Sequence, residues 1–232
     1  MSEQHLTGGR GDTPMLDAAT VVLLRDSDAG IECLMVRKNS GQAFGGMWVF
    51  PGGRVEEADG TGVEGARQAA VREAAEETGL VLDAAALVPF SHWTPPTTAP
   101  RRYATWFFLG ALPDDAADVI VDGGEIGDHV WTPPAVALER HGAGEIELVP
   151  PTWVTLQRLA EAGALAGGAT AAVEGASGGE IERFKTRVVI EDGVLVTVWA
   201  PDAGYAAGEL HAPGARHRLV MDPAGWRYER SG

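Results

Sequence analysis

Residues 52–80 constrain the fold more than any other stretch of the chain. Their second half predicts a helix over residues 63–78, and Gly79 ends it because glycine readily adopts the left-handed conformation. In this helix Glu73 precedes Glu76 and Glu77 by three and four residues, so the three carboxylates lie on one face. The opposite face carries small residues that allow close packing on a sheet: Ala66, Ala69, Ala70 and Ala74. The stretch therefore predicts a sheet-packed helix with an acidic outer face.

The acidic face has two interpretations. Like charges at this spacing destabilise a helix by about 0.2–0.5 kcal/mol per pair, so three of them are a poor way to build one. A divalent cation removes the repulsion, and sites made only of oxygen ligands suit Mg²⁺ or Mn²⁺. The alternative is a solvated acidic surface. The preceding Phe-Pro-Gly-Gly turn at residues 50–53 and the neighbouring Arg72 and Gly79 favour the metal site.

The arrangement resembles the Nudix box, G-x5-E-x7-R-E-U-x-E-E-x-G-U, in which U is apolar. Residues 72–80 read REAAEETGL, and Glu64 stands eight residues before Arg72, as the box requires. Ten residues separate Gly53 from Glu64 where the family usually has five, so the loop at residues 55–63 is expected to be extended by five. Ala74 occupies an apolar position that is usually filled by a larger residue.

The resemblance implies an α/β fold, the Nudix α/β/α sandwich with a mixed β-sheet. It also implies hydrolysis of a nucleoside diphosphate linked to a further group, by attack of water at one phosphorus with Mg²⁺ or Mn²⁺. The residues that it assigns as metal ligands are Glu73, Glu76, Glu77 and the backbone carbonyl of Gly52. Glu73 is the first candidate for the general base, and Arg72 is expected to orient Glu64 or Glu73.

Two other segments supply further site candidates. Glu125 precedes Trp131 by six residues and is a candidate additional metal ligand or base, with an ordinary surface glutamate as the alternative. A ring with nearby guanidinium groups can hold a base or a phosphate, which makes one cluster a candidate substrate site. That cluster is Trp93, Arg101, Arg102 and Tyr103. The alternative is that Trp93 is a packing residue and that the arginines balance an acidic surface.

The segment at residues 37–53 bears on the substrate. Arg37, Gly46 and the Phe-Pro-Gly-Gly turn are in register with an upstream pattern of coenzyme A diphosphatases in the Nudix family, and Arg37 is a substrate-binding candidate. The chain departs from that pattern at Lys38, Gly41 and Phe44. The enlarged box and the C-terminal region are also similar to the peroxisomal coenzyme A hydrolase branch. Coenzyme A or an acyl derivative is therefore one hypothesis, beside dinucleotides, nucleotide sugars and oxidised triphosphates.

A Nudix-like domain that binds a nucleotide and regulates a partner without cleaving it is the alternative from another class. Such domains commonly lack one or more glutamates of the box. This chain retains Glu73, Glu76 and Glu77, which favours the enzyme.

Local patterns predict the domain organisation. Residues 1–16 are expected to be a flexible tail, residues 17–165 the Nudix domain, residues 166–179 a Gly/Ala-rich connector, and residues 180–232 a β-rich extension that packs on the core or on a partner subunit. Residues 18–25 and 31–38 predict a hairpin, and residues 103–109 a further strand. Three prolines predict a loop over residues 91–100. Helices are expected at residues 133–140 and 151–162.

Composition limits the partners. The formal charge of −15 argues against a general nucleic-acid or anionic-membrane binder, because such proteins need basic surface. The single cysteine, Cys33, rules out an internal disulfide. No signal peptide and no apolar span of about 20 residues is apparent, so a cytoplasmic protein is expected. The expected partner is a small-molecule nucleoside diphosphate derivative, and a homodimer is a candidate assembly.

Overall fold

The structure, a computed structural model, describes residues 13–41, 44–113, 118–121, 123–163 and 167–231. Contacts between residues divide the chain into two compact units. The central unit consists of residues 17–91 and 105–182. The C-terminal unit combines residues 183–232 with residues 92–104 and the first 16 positions of the chain. The units are therefore not continuous in sequence, and the domain limits given above stay a prediction.

The central unit is built on a sheet that starts with the predicted hairpin. Strand β1 (Met15–Ser27) pairs antiparallel with β2 (Gly30–Lys38), and the turn closes at Gly30. Gly30 has a φ of 100°, a conformation that favours glycine. Two short strands continue the pairing, since β3 (Trp48–Val49) lies beside β2 and β4 (Gly52–Arg54) lies beside β1.

Three longer strands also belong to this sheet: β5 (Val88–Thr94), β6 (Arg102–Ala111) and β7 (Ile126–Thr132). Through the strands named so far its order runs β3-β2-β1-β6-β5, and β7 also pairs with β2. Residues 18–24 of β1 are all buried. A strand with consecutive buried residues is covered on both faces of its sheet, as in layered α/β folds.

Helix α1 (Gly62–Thr78) covers part of this sheet. The four alanines predicted to face the sheet are fully buried and pack with Val21, Leu34 and Phe108. The helix ends at Gly79, which is left-handed at φ 72° and donates its N–H to the carbonyl of Ala75. Small side chains let the helix axis approach the strands closely, so the buried face is set by alanine and leaves the other face to the glutamates.

Three further helices follow: α2 (Pro134–Gly142), α3 (Pro150–Gly163) and α4 (Ala169–Ala176). Helix α4 corrects the prediction of a flexible connector at residues 166–179, of which residue 166 lies outside the described residues. The Asp26 carboxylate accepts a hydrogen bond of 2.9 Å from the N–H of Ala169 at the start of α4. Alanine has the highest helix propensity, and this contact together with the burial of Ala169 and Val173 stabilises the Ala-rich segment. No helix in the described ranges is long and apolar enough to cross a membrane.

Other predicted boundaries also need correction. Residues 91–94, predicted to be a loop, belong to β5, because the three prolines at positions 95, 96 and 100 follow the strand. Residues 15 and 16, predicted to be part of the tail, belong to β1, and residues 1–12 of that tail lie outside the described residues. The predicted α/β class with a mixed sheet and an additional C-terminal antiparallel sheet is confirmed.

The C-terminal unit contains an antiparallel sheet of order β12-β11-β10-β9. Its strands are β9 (Arg187–Glu191), β10 (Val194–Val198), β11 (Arg216–Asp222) and β12 (Gly225–Ser231), and β8 (Glu182–Lys185) precedes them. Trp199 and Phe184 are fully buried in this unit. The Asp202 carboxylate and the Arg218 guanidinium form a buried ion pair at 2.7 Å.

Candidate active site

The backbone at Gly52 and Gly53 lies close to β1 and to the acidic face of α1. Gly52 has a φ of 155°, and a Cβ at this position would lie 2.3 Å from the carbonyl oxygen of Ala19. A Cβ at Gly53 would lie 2.3 Å from the carboxyl carbon of Glu73. Gly52 requires glycine because the backbone of β1 occupies the space of a side chain, whereas at Gly53 that space is occupied by the end of the Glu73 side chain. The Phe-Pro-Gly-Gly turn thus brings the backbone against the box helix.

The three carboxylates of α1 differ in their environments. The side chains of Glu77, Glu73 and Glu76 are 3%, 15% and 61% exposed, respectively. Glu77 is fixed by the N–H of Gly52, which donates to its Oε2 at 2.9 Å. The side chains therefore run from a buried carboxyl group beside the glycine turn to one that is open to solvent.

Burial makes two of these carboxylates costly to ionise. Desolvation raises the pKa of Glu77 to about 7, although Lys38 and the Gly52 N–H favour its charged form. Desolvation also raises the pKa of Glu73, against the effect of Arg72. A positive charge beside such groups restores the anionic forms.

Arg72 connects the acidic face to the enlarged loop. It donates to Glu73 Oε1 at 2.8 Å and, more weakly, to Glu76 Oε2 at 3.5 Å. It also donates to both oxygens of Asp59, at 3.2 and 2.8 Å, and to the Arg54 carbonyl at 2.9 Å. The predicted orientation of Glu73 by Arg72 thus matches an observed contact.

The enlarged loop supplies the partner that the sequence analysis missed. Residues 57–59 form a 3-10 turn in which Asp59 accepts a hydrogen bond from the Glu56 N–H at 2.8 Å. This turn aims the Asp59 carboxylate at Arg72. Glu64, named above as a possible partner of Arg72, instead pairs with Arg67 at 3.2 Å. Of the two carboxylates expected as partners of Arg72, the contact is with Glu73, and the inserted residues bring Asp59 beside Arg72 as a further partner.

Lys38, at the end of β2, is the second cationic group of the site. Its Nζ donates to Glu77 Oε1, to Glu125 Oε1 at 2.8 Å and to the Gly52 carbonyl at 3.4 Å. Burial alone would lower the pKa of Lys38, but the charges and hydrogen bonds of Glu77 and Glu125 outweigh it and raise that pKa. From the sequence, Lys38 is only a departure from the coenzyme A diphosphatase pattern. Its one sequence signal is a lysine shortly after the apolar run at residues 33–36, at the end of the strand.

Arg37, the neighbour of Lys38, is half exposed and lies 4.0 Å from the Asp128 carboxylate. The other substrate-binding candidates all belong to the C-terminal unit. Trp93 is 3% exposed and stacks on Phe184, with ring centroids 3.8 Å apart. The structure thus favours the packing role for Trp93. Arg102 donates to the Thr13 carbonyl at 3.2 Å, while Arg101 is exposed and Tyr103 is partly buried.

The NUDIX domain model matches residues 15–151, which include the glycine turn, the box helix and Glu125. The chain belongs to the Nudix family. Comparison with curated proteins gives no match.

Solved structures of Nudix proteins share the fold. A NUDIX hydrolase from Alicyclobacillus acidocaldarius superposes with a TM-score of 0.63 at 25% identity, over 73% of this chain and 100% of that one. The NUDIX domain of Shewanella oneidensis NrtR, complexed with ADP ribose, gives a TM-score of 0.52 at 19% identity, over 64% of this chain and 88% of that one. The present chain thus has the Nudix hydrolase fold.

The Nudix site has the donor chemistry of a Mg²⁺ or Mn²⁺ site. It offers carboxylate oxygens from one helix face and the Gly52 carbonyl, which are the hard ligands that these ions prefer. The carboxylates are turned toward Lys38 and Arg72. In the described part of the chain, no three His, Cys, Asp or Glu side chains are grouped so that they could hold one ion. The residue types fit the ion, and the metal-ligand assignments stay a prediction.

Proposed function

We propose that the protein is a metal-dependent Nudix hydrolase that cleaves the diphosphate linkage of a nucleoside diphosphate derivative. One observation carries the proposal: among the residues that the structure describes, ion pairs around the glycine turn join five carboxyl groups to two cationic side chains. The carboxyl groups are those of Asp59, Glu73, Glu76, Glu77 and Glu125. This excess of acidic groups is suited to a divalent cation, which in turn attracts a diphosphate.

The proposed metal ligands are Glu73, Glu76, Glu77, the Gly52 carbonyl and Glu125. A divalent cation bound there would neutralise phosphate oxygens and lower the pKa of a bound water. Glu73 is the proposed general base. Burial raises the pKa of Glu73, which makes its carboxylate a stronger proton acceptor. Arg72 holds Glu73 in place by linking it to Asp59, and so acts as a positioning residue.

Coenzyme A or an acyl derivative is the first substrate to test, because Arg37, Gly46 and the Phe-Pro-Gly-Gly turn keep the spacing of the coenzyme A diphosphatase pattern. The Shewanella domain was solved with ADP ribose, which makes this diphosphate the second substrate to test. Arg101, Arg102 and Tyr103 remain substrate-binding candidates. The cytoplasmic location, the homodimer and the packing of the C-terminal extension on the core or on a partner remain predictions.

The test is a substrate panel in Mg²⁺ or Mn²⁺ and in EDTA, with the Glu76→Gln variant beside the wild type. We expect one diphosphate to be cleaved only with metal, and kcat/KM of the variant to fall by more than about 100-fold, because metal ligands contribute at least as much as their supporting residues. The variant should fold normally, since Glu76 is exposed and its removal relieves repulsion.

Glu161→Gln is the matched control, because it makes the same change at an exposed helical glutamate that bonds only to Gln157 among the contacts described here. It should leave the rate unchanged. Binding of a nucleotide without cleavage under every metal condition would contradict the proposal and favour the regulatory domain considered above.

A further inference from the structure

Lys38 contacts three of the oxygens to which the proposed function assigns a metal ion. Its ammonium group donates to Glu77, to Glu125 and to the Gly52 carbonyl. These partners are 39, 87 and 14 residues away in sequence. The side chain is only 8% exposed. A single positive charge therefore lies where β2, the glycine turn, α1 and the segment before β7 meet.

The strand pairing around Lys38 is irregular. Arg37 is opposite Asp128 in β7, whereas Lys38 is opposite Ile126, so Gly127 is skipped at a β-bulge. Bulges change the direction of the side chains next to them. Asn39 then holds the neighbouring segment with two donated hydrogen bonds. Its backbone N–H donates to the Glu125 carbonyl at 2.8 Å, and its side-chain amide donates to the Gly124 carbonyl at 2.8 Å. The bulge and these bonds keep Glu125 beside Lys38.

Lysine is rare in this chain, which makes its burial here informative. The sequence contains two lysines, Lys38 and Lys185, against 16 arginines. Taking an ammonium group out of water is unfavourable unless it gains strong partners. Lys38 gains two carboxylates and a carbonyl, and these groups would otherwise repel one another across the site.

We propose that Lys38 is a built-in cation that competes with the divalent metal ion for Glu77, Glu125 and the Gly52 carbonyl. The inference rests on the proposed function, because it assumes that these oxygens bind metal. Two cations cannot share the same oxygens at contact distance without strong repulsion. Metal binding therefore displaces the Lys38 ammonium group from them, and the apparent metal affinity is lower than the carboxylates alone would give.

The first test uses the wild-type protein with ¹³C-labelled lysine, which gives two ε-methylene NMR signals that Lys185→Arg assigns. Titration with Mg²⁺ is expected to shift the Lys38 signal along a saturable curve and to leave the Lys185 signal unchanged. A Lys38 signal that does not move at Mg²⁺ concentrations that saturate hydrolysis would overturn the inference. This readout needs no change at Lys38 and does not depend on activity.

The second test measures Mn²⁺ binding by electron paramagnetic resonance in Lys38→Met and Lys38→Gln. Both variants remove the charge, and the glutamine can still donate to Glu77 Oε1, whereas the methionine cannot. We expect the Kd for Mn²⁺ to fall by about tenfold or more, because a competing charge in contact with the ligands is gone. Lys38→Arg, which keeps the charge, and Lys185→Met, which removes an exposed one, should bind as the wild type does.

The outcomes separate the two proposals. If hydrolysis is metal-dependent but the neutral variants bind Mn²⁺ with unchanged affinity, only the proposed role of Lys38 is contradicted, and the proposed function stands. If none of the proteins binds Mn²⁺ and none cleaves a diphosphate, the proposed function is wrong, and so is the inference that rests on it.

Discussion

Asp202→Asn is the substitution whose effect on stability follows most directly from the structure. Each carboxylate oxygen of Asp202 faces two donors. Oδ1 accepts from the Gly204 N–H at 2.8 Å and from Arg218 at 2.7 Å, and Oδ2 accepts from the His217 N–H and from Arg218, both at 2.8 Å. An asparagine must place its NH₂ group against one of these pairs of donors. The variant therefore loses two hydrogen bonds and leaves the buried Arg218 charge without an anion.

The pKa of Asp202 gives the magnitude. Burial alone would raise this pKa, but the Arg218 guanidinium and the two backbone N–H groups outweigh it and lower the pKa from 3.8 to about 2. At about 1.4 kcal/mol per pKa unit, the ionised carboxylate stabilises the fold by roughly 2.5 kcal/mol relative to the protonated one. Removing one partner of a buried pair typically costs about 3–5 kcal/mol. We expect a loss of roughly 3 kcal/mol, between these two values.

Peptide-resolved hydrogen exchange at pH 7 measures this loss within the C-terminal unit. A loss of about 3 kcal/mol lowers the protection of the slowest amides in β10 and β11 by roughly 100-fold. Because the pKa of Asp202 is lowered on folding, its contribution is complete above pH 4 and is lost as the pH falls toward 2. The stability difference between wild type and variant should shrink over the same range.

Asp222→Asn is the matched control, because its exposed carboxylate accepts a 2.8 Å hydrogen bond from the Ala224 N–H that an asparagine carbonyl can also accept. It should leave protection unchanged. Equal protection in Asp202→Asn and wild type at pH 7 would show that the buried pair does not stabilise this sheet.

Three other predictions concern the central unit. Gly53→Ala should lower kcat/KM while the protein still folds, because its Cβ would lie 2.3 Å from the Glu73 carboxyl carbon; unchanged kinetics would contradict the observed approach. Arg72→Lys should also lower kcat/KM, since one ammonium group cannot replace the guanidinium that bonds both Asp59 and Glu73, and an unchanged rate would refute its positioning role. Burial raises the pKa of the Cys33 thiol to about 12, so a thiol reagent at pH 8 should label the folded protein roughly 10³-fold more slowly than the protein in urea, whereas equal rates would contradict that burial.

The acidic helix could be predicted from the sequence because all its determinants are local. The spacing of Glu73, Glu76 and Glu77 fixes one face, the alanines fix the other, and Gly79 ends the helix within one residue of the expected position. The hairpin of β1 and β2 can be predicted for the same reason. Two runs rich in strand-forming residues are joined by a short link of turn-forming residues, and this pattern is local in the sequence.

The two cationic connections of the site were not predictable in the same way. Lys38 meets Glu77 and Glu125 only through the pairing of β2 with its neighbours and the packing of α1, so no local pattern reveals the contact. Asp59 lies in the extended loop at residues 55–63, and the box pattern assigns no function to residues inserted there. Helix α4 is not predicted because a Gly/Ala-rich composition is typical of linkers, whereas its contacts, a hydrogen bond to the distant Asp26 carboxylate and the burial of Ala169 and Val173, are set by the fold.

The central claim is that the carboxylates of α1 hold divalent cations against a diphosphate. Anomalous diffraction from crystals soaked with Mn²⁺ and a nonhydrolysable nucleoside diphosphate derivative tests it most directly. We expect a Mn²⁺ peak within about 2.0–2.3 Å of oxygens from Glu73, Glu76 or Glu77, with the diphosphate bound to the same ion. A Mn²⁺ peak elsewhere, or none, with these side chains still paired to Lys38 and Arg72 beside a bound diphosphate, would contradict it.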